Sequence, residues 1–173
     1  MKVNLQDLVL DSKILKAGQK ILISGTIYTA RDAAHDRIVK MLDYDEEIPF
    51  KLENVAIYYC GPSPAKPGAI IGACGPTTSS RMDVFTPRLL REGVKFLIGK
   101  GVRSKVVVDS IKRNSVVYLV ATGGVAALLS KTVKKFNLIA FEDLGPEAVY
   151  KLEVEDMPLI VAVDSFGNTV FKM

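Results

Sequence analysis

The sequence predicts an α/β fold with a mixed sheet, flanking helices and a carboxyl-terminal β-hairpin. Short β-branched runs alternate with stretches of helical apolar spacing, the pattern of layered α/β sheets. Gly- and Pro-rich junctions separate them, and the tail drops the alternation for consecutive strand-like segments. A chain of 173 residues fits one domain, residues 1–173, with an aliphatic core and neither linker nor internal repeat.

Residues 20–27 form an aliphatic, β-branched run followed by Tyr28, and Thr29 stands three residues before Asp32 in capping-box-like spacing. A strand therefore hands over to a helix near Thr29. Ala30, Ala34, Ile38, Met41 and Leu42 recur at helical spacing, so one face packs while Arg31 lies near the amino end, where free amides favour anions. Residues 55–59 and 69–73 read as short buried strands around a Gly- and Pro-rich loop at 61–68. Met82, Phe85, Leu89 and Leu90 predict a helix interrupted or started near Pro87. Residues 96–98 form a brief strand ending at Gly99-Lys100-Gly101, and Ser104 caps a helix to about residue 112. Residues 116–121 make a strand, 123–135 a helix and 136–141 another strand, with crossovers long enough for parallel pairing. In the tail, residues 150–154, 159–163 and 169–171 surround turn residues 164–168 and predict the hairpin.

Composition excludes several classes. With 49% hydrophobic and 24% charged residues and no long polar tract, the chain is globular rather than disordered or fibrous. The 23 Lys and Arg against 19 Asp and Glu give +4, too mild and too scattered for a nucleic-acid partner but suited to a small anion. The basic cluster at 131–135 sits near a helix end and reads as a solvated face. No apolar run reaches the roughly 18 residues of a membrane span, and the amino terminus lacks a basic-then-apolar leader, so the expectation is a cytoplasmic protein. The two cysteines, Cys60 and Cys74, are then expected as free thiols.

Chemistry concentrates where loops meet helices. Arg31 follows Tyr28-Thr29-Ala30, Arg81 follows Thr77-Thr78-Ser79-Ser80, and Lys100 lies between two glycines. In an open α/β sheet, loops at the carboxyl ends of strands converge on one crevice, so these cations can jointly hold a dianion. Gly75 permits close backbone approach, the hydroxyl residues offer amides and side-chain donors to a carboxylate, and Arg81 can add a bidentate fork. Alone, the hydroxyl run equally describes an ordinary helix cap.

Longer stretches carry a resemblance. Gly25-Thr26-Ile27-Tyr28-Thr29-Ala30-Arg31-Asp32-Ala33-Ala34-His35, the segment from Tyr58-Tyr59-Cys60-Gly61-Pro62 to Lys66-Pro67-Gly68, and Gly75-Pro76-Thr77-Thr78-Ser79-Ser80-Arg81-Met82-Asp83 occur in order, with Gly99-Lys100-Gly101 and Val154-Glu155-Asp156 after them. In these motifs, over nearly its whole length, the chain resembles the β-subunit, or carboxyl-terminal domain, of class I fumarate hydratases and the related L-tartrate dehydratases. The resemblance implies the swivelling β/β/α fold, a hydro-lyase acting on a dicarboxylate such as fumarate or malate, and an α-subunit partner, expected as an α2β2 assembly. It also implies a 4Fe-4S cluster held by that partner, because a cluster takes three or four thiolates and this chain has two cysteines. By resemblance, Thr77 is the catalytic proton carrier and Arg31, Arg81 and Lys100 grip the substrate. Thr78, Ser79 and Ser80 surround the same carboxylate.

Other residues have simpler readings. His35, the single histidine, lies at helical spacing from Arg31 and reads as a packed or hydrogen-bonded support rather than an acid or ligand. Asp32 reads as a helix-end acid in preference to an anchor for Arg31. Tyr58 and Tyr59 read as strand packing, Cys60 and Cys74 as small residues at Gly-Pro turns, and Glu153, Glu155 and Asp156 as a solvated or subunit-facing edge. A tartrate dehydratase β-subunit and a non-catalytic dicarboxylate-binding module stand as alternatives to the fumarate enzyme.

Overall fold

The computed structural model describes residues 1–121 and 126–171. In chain order it contains β1 (Lys2–Asn4), α1 (Leu5–Leu10), β2 (Lys20–Thr29), α2 (Asp32–Asp43), β3 (Ala56–Tyr58), α3 (Thr86–Arg91), β4 (Phe96–Gly99), α4 (Lys105–Arg113), β5 (Val117–Val120), α5 (Ala126–Thr132), β6 (Val133–Ala140) and β7 (Val149–Val163). Strands β1 to β5 pair in parallel, each with the next in sequence, as the helical crossovers require. Strand β7 runs antiparallel to β2, β5 and β6. Because β7 joins β2 as well as β5, the strands β2, β3, β4, β5 and β7 close into a ring, with β1 and β6 attached outside it.

The central strands read as unbroken apolar runs because both faces are covered. Ile57, Tyr59, Leu97 and Tyr118 point to a layer shared with Ala34 and Ile38 of α2, Leu89 and Leu90 of α3, and Val107 and Ile111 of α4. Their neighbours Tyr58, Phe96, Ile98, Val117 and Leu119 belong to a second core with Ile21, Ile23, Leu152 and Val161. Period two thus sorts one strand between two cores.

The carboxyl-terminal hairpin is the main correction. Residues 150–154 and 159–163 are halves of one strand, β7, and residues 164–168 lead back only to an isolated bridge between Val163 and Thr169. The Glu155-Asp156-Met157-Pro158 segment that looks like a break is a bulge: the register passes from Ile23 opposite Met157 to Gly25 opposite Val154. Asp156 takes a left-handed φ of 52° and its amide donates to the Ser24 hydroxyl at 3.0 Å. The expected strand at 69–73 is also absent: β4 already occupies the edge of β3, and the segment is tied instead across its own loop by Ser63 N–H to Ala73 O at 3.0 Å. Of the helix expected at 123–135, Ala126–Thr132 form α5, residues 123–125 lie outside the described part of the chain, and from Val133 the chain is strand β6. Among the described residues no helix is long and apolar enough to cross a membrane.

Candidate active site

The carboxyl ends of the adjacent parallel strands β2, β3 and β4 carry the residues singled out above. Arg31 leaves β2 and is the N-cap of α2, while Thr29 spends its hydroxyl elsewhere, accepting the Tyr150 amide at 3.1 Å. This corrects the expected Thr29 cap. The chain leaves β3 at Tyr59 and returns after a long loop, when the Thr77 amide donates to the Tyr59 carbonyl at 2.7 Å. Beyond β4, Lys100 bridges in parallel to Thr78. Three segments distant in sequence therefore share one end of the sheet, where α/β folds place ligands.

Asp32 is the centre of this cluster. Its carboxylate accepts two bonds from Arg81, from Nε at 3.0 Å and Nη2 at 2.8 Å, and Arg31 Nη2 stands 3.9 Å from the same Oδ2. The free edge of the Arg81 guanidinium turns to Thr77, whose Oγ1 accepts from Nη1 at 3.4 Å. Arg31 is also paired with Glu147, Nε to Oε1 at 3.2 Å, and Gly61 lets it pass, since a Cβ there would lie 3.0 Å from Arg31 Cδ. Asp32 thus does more than favour the α2 amino end: it anchors Arg81.

The other predicted residues divide by exposure. Thr78, Ser80 and Lys100 are exposed at the mouth of the cluster, and Thr77 is half-buried. Ser79 is buried, and its hydroxyl accepts the Lys100 amide and the Tyr118 phenol, each at 2.9 Å. Its hydroxyl locks the loop to β4 and β5 rather than facing outward. Gly99 is required by this contact, because a Cβ would sit 1.9 Å from Ser79 Oγ.

Behind the cluster lies a residue that sequence reasoning missed. Arg103, two positions past the Gly99-Lys100-Gly101 turn, is 7% exposed. Its guanidinium donates to Asp83 Oδ1 at 2.6 Å, Thr86 Oγ1 at 2.6 Å and the Tyr59 hydroxyl at 3.2 Å, and it lies against the rings of Tyr59 and Tyr118. Asp83 also accepts the Ser104 amide at 2.7 Å. The buried Arg103 is thus hydrogen-bonded through each guanidinium nitrogen and paired with the half-buried Asp83, the condition under which an interior charge is tolerated. A single arginine in a basic chain gave no signal of burial; Asp83, closing the hydroxyl motif, was the available hint.

His35 is a support, as its spacing predicts. It is buried under Tyr59 and Phe85, and Nδ1 lies 2.8 Å from the Arg31 carbonyl oxygen, which fixes the Nδ1–H tautomer. Burial lowers its pKa to about 4, so the ring is neutral. Cys60 and Cys74 are free and buried in one core. The Cys60 thiol is pushed up by its hydrogen bond to Cys74 and by burial, whereas that bond lowers Cys74. Two free thiols buried in the core fall short of the three or four that a cluster takes, and among the described residues no group of three His, Cys, Asp or Glu could hold a metal. The tail acids do not lie on a sheet edge, because β7 is paired at Glu153 with β2 on one side and β6 on the other: Glu153 accepts from Thr26 at 2.7 Å, Glu155 pairs with Lys134 at 3.5 Å and Asp156 with Lys2 at 2.5 Å.

Comparison with known proteins gives this arrangement a family. The chain is 42% identical over 168 residues to a Methanocaldococcus jannaschii protein named as an L(+)-tartrate dehydratase subunit beta, covering 94% of this chain and 86% of that protein. It is 40% identical over 157 residues to Fumarate hydratase 2 of Leishmania major, covering 90% of this chain, and 36% identical over 155 residues to the aerobic class I fumarate hydratase of Escherichia coli K12, covering 88%. It spans 28% of the length of each of those two fumarate hydratases. The family described as Fumarase C-terminus matches residues 1–173, and the chain belongs to it.

Proposed function

We propose that this chain is the β-subunit of an iron-sulfur-dependent fumarate hydratase, a hydro-lyase interconverting fumarate and malate. The observation that carries this is the convergence of Arg31 and Arg81 on Asp32 at the ends of parallel strands, with Thr77 on the other edge of Arg81 and Lys100 across the same loop. In this assignment residues 1–173 form one swivelling β/β/α domain of a cytoplasmic α2β2 enzyme. The α-subunit holds the 4Fe-4S cluster, which supplies Lewis-acid chemistry when bound.

The residues of this chain have distinct tasks. Arg31, Arg81 and Lys100 bind the substrate carboxylates and offset the negative charge that grows on one of them in the transition state. Thr78 and Ser80 offer exposed polar groups beside that carboxylate, and Ser79 holds the loop in place. Thr77 gives its hydroxyl proton to the C3 carbon during hydration, as a water that loses its proton to a group of the partner chain adds hydroxide at C2, and in the reverse direction it removes the malate C3 proton while that partner group protonates the departing hydroxide. A threonine hydroxyl is a weak acid, so its alkoxide needs a cation beside it, and Arg81 Nη1 at 3.4 Å from Oγ1 meets that need.

The test is anaerobic co-purification with a cysteine-rich partner, followed by assay of fumarate hydration. Thr77→Ala is expected to abolish turnover while sparing assembly and much of the substrate affinity; unchanged turnover eliminates Thr77 as proton carrier. Tight dicarboxylate binding by the chain without any partner would favour a non-catalytic module. A tartrate dehydratase is the second reading, supported by the 42% identity and similar length of the subunit-beta relative. A preference for tartrate over malate in the reconstituted enzyme would decide for it.

A further inference from the structure

Asp32 presents a puzzle in a site meant for a dianion. Two arginines and two carboxylates meet there, for Asp32 and Glu147 both pair with Arg31 and Asp32 takes Arg81 as well. Each carboxylate subtracts from the attraction for an anionic substrate. Asp32 does not cap α2, whose N-cap is Arg31, and both of its oxygens are engaged by Arg81. A bidentate fork fixes the guanidinium plane as a single hydrogen bond does not. With Nε and Nη2 committed, Nη1 is the edge directed at Thr77.

We propose that Asp32 is a positioning residue which acts through Arg81, holding its guanidinium side-on so that Nη1 faces the Thr77 hydroxyl and only the remaining N–H groups are left to a substrate carboxylate. This rests on the hydro-lyase assignment and extends it. Asp32 gives up some ground-state attraction for alignment at the proton carrier, which is the exchange that raises turnover rather than affinity. Placed between Arg31 and Arg81, it also reduces the repulsion between the two cations.

The prediction is a split that loss of structure does not produce. In the reconstituted enzyme, Asp32→Asn lowers kcat by about tenfold or more and at the same time lowers KM severalfold, because a released Arg81 fork binds carboxylate more fully. Arg81→Lys, which keeps the charge but has no fork, lowers kcat as well. Because Asp32 acts through Arg81, the double variant is no slower than Arg81→Lys alone, within about twofold. A raised KM for Asp32→Asn, or losses that multiply in the double variant, overturns the role. Should Asp32→Asn fail to assemble, Asp32→Glu, which keeps the charge on a longer arm, enters the same cycle with the same criterion. An inactive wild-type assembly defeats the hydro-lyase assignment and this role with it; an active wild type with multiplying losses defeats the role alone.

Discussion

His35 gives the molecule a pH dependence of definite sign. Its folded pKa of about 4 lies below the ordinary imidazole value of 6.5 that the unfolded chain retains. Between those limits the unfolded chain binds a proton that the folded chain refuses, so stability falls as pH drops from 6.5 towards 4 and is unaffected by this residue above 6.5. The full effect is on the order of 3 kcal/mol. Urea titrations at neutral pH and near pH 4.5 should show the loss, and His35→Gln should flatten it. The neighbouring residues show how far side-chain roles can be read from sequence. Arg31, Thr77 and Arg81 stand together as the convergence of loops at carboxyl strand ends implies, Arg31 directly after β2 and the other two where the long loop returns to Tyr59. The hold of Asp32 on Arg81 was not legible, since the partners are 49 positions apart and an acid at a helix start already has an adequate local explanation. Arg103 was hidden for the same reason, its burial being created by Tyr59, Asp83, Thr86 and Tyr118 from three separate places.

At the scale of elements, the junction after β4 is the most constrained. Gly99 lies where a side chain would strike Ser79 Oγ and the Tyr59 ring, both buried and both hydrogen-bonded. Gly99→Ala is therefore expected to cost roughly 1–3 kcal/mol, the range for an overpacked core, and to push the Thr77 loop off the sheet. A lower urea midpoint together with a loss of turnover at temperatures where the variant remains folded is the expected result; wild-type behaviour in both would contradict the contact. Strands β2 to β5 were legible because buried parallel strands leave short unbroken apolar runs. Residues 69–73 leave the same trace without forming a strand, since a run of that kind specifies burial and not pairing, and only Ile71 of the pair Ile70 and Ile71 is buried. The carboxyl-terminal strand was misread as two because a left-handed aspartate and a proline look like a turn until the bulge opposite Ser24 is seen.

For the whole molecule, the fold class was legible from the alternation of elements, but closure was not, since no local pattern says that β7 returns to β2. That seam joins residues 20–28 to residues 151–160, so it unites parts of the chain that are synthesised far apart in time. Until β7 has left the ribosome, β2 and β5 each present an unpaired edge, the condition that invites intermolecular strand pairing. Contacts of such long range are also the slow ones in folding. Pulse-labelled hydrogen exchange during refolding should therefore find the Ile21, Ile27 and Val161 amides acquiring protection together in the last phase. Chains cut before β7 should accumulate as insoluble material, whatever the quality of their catalytic motifs.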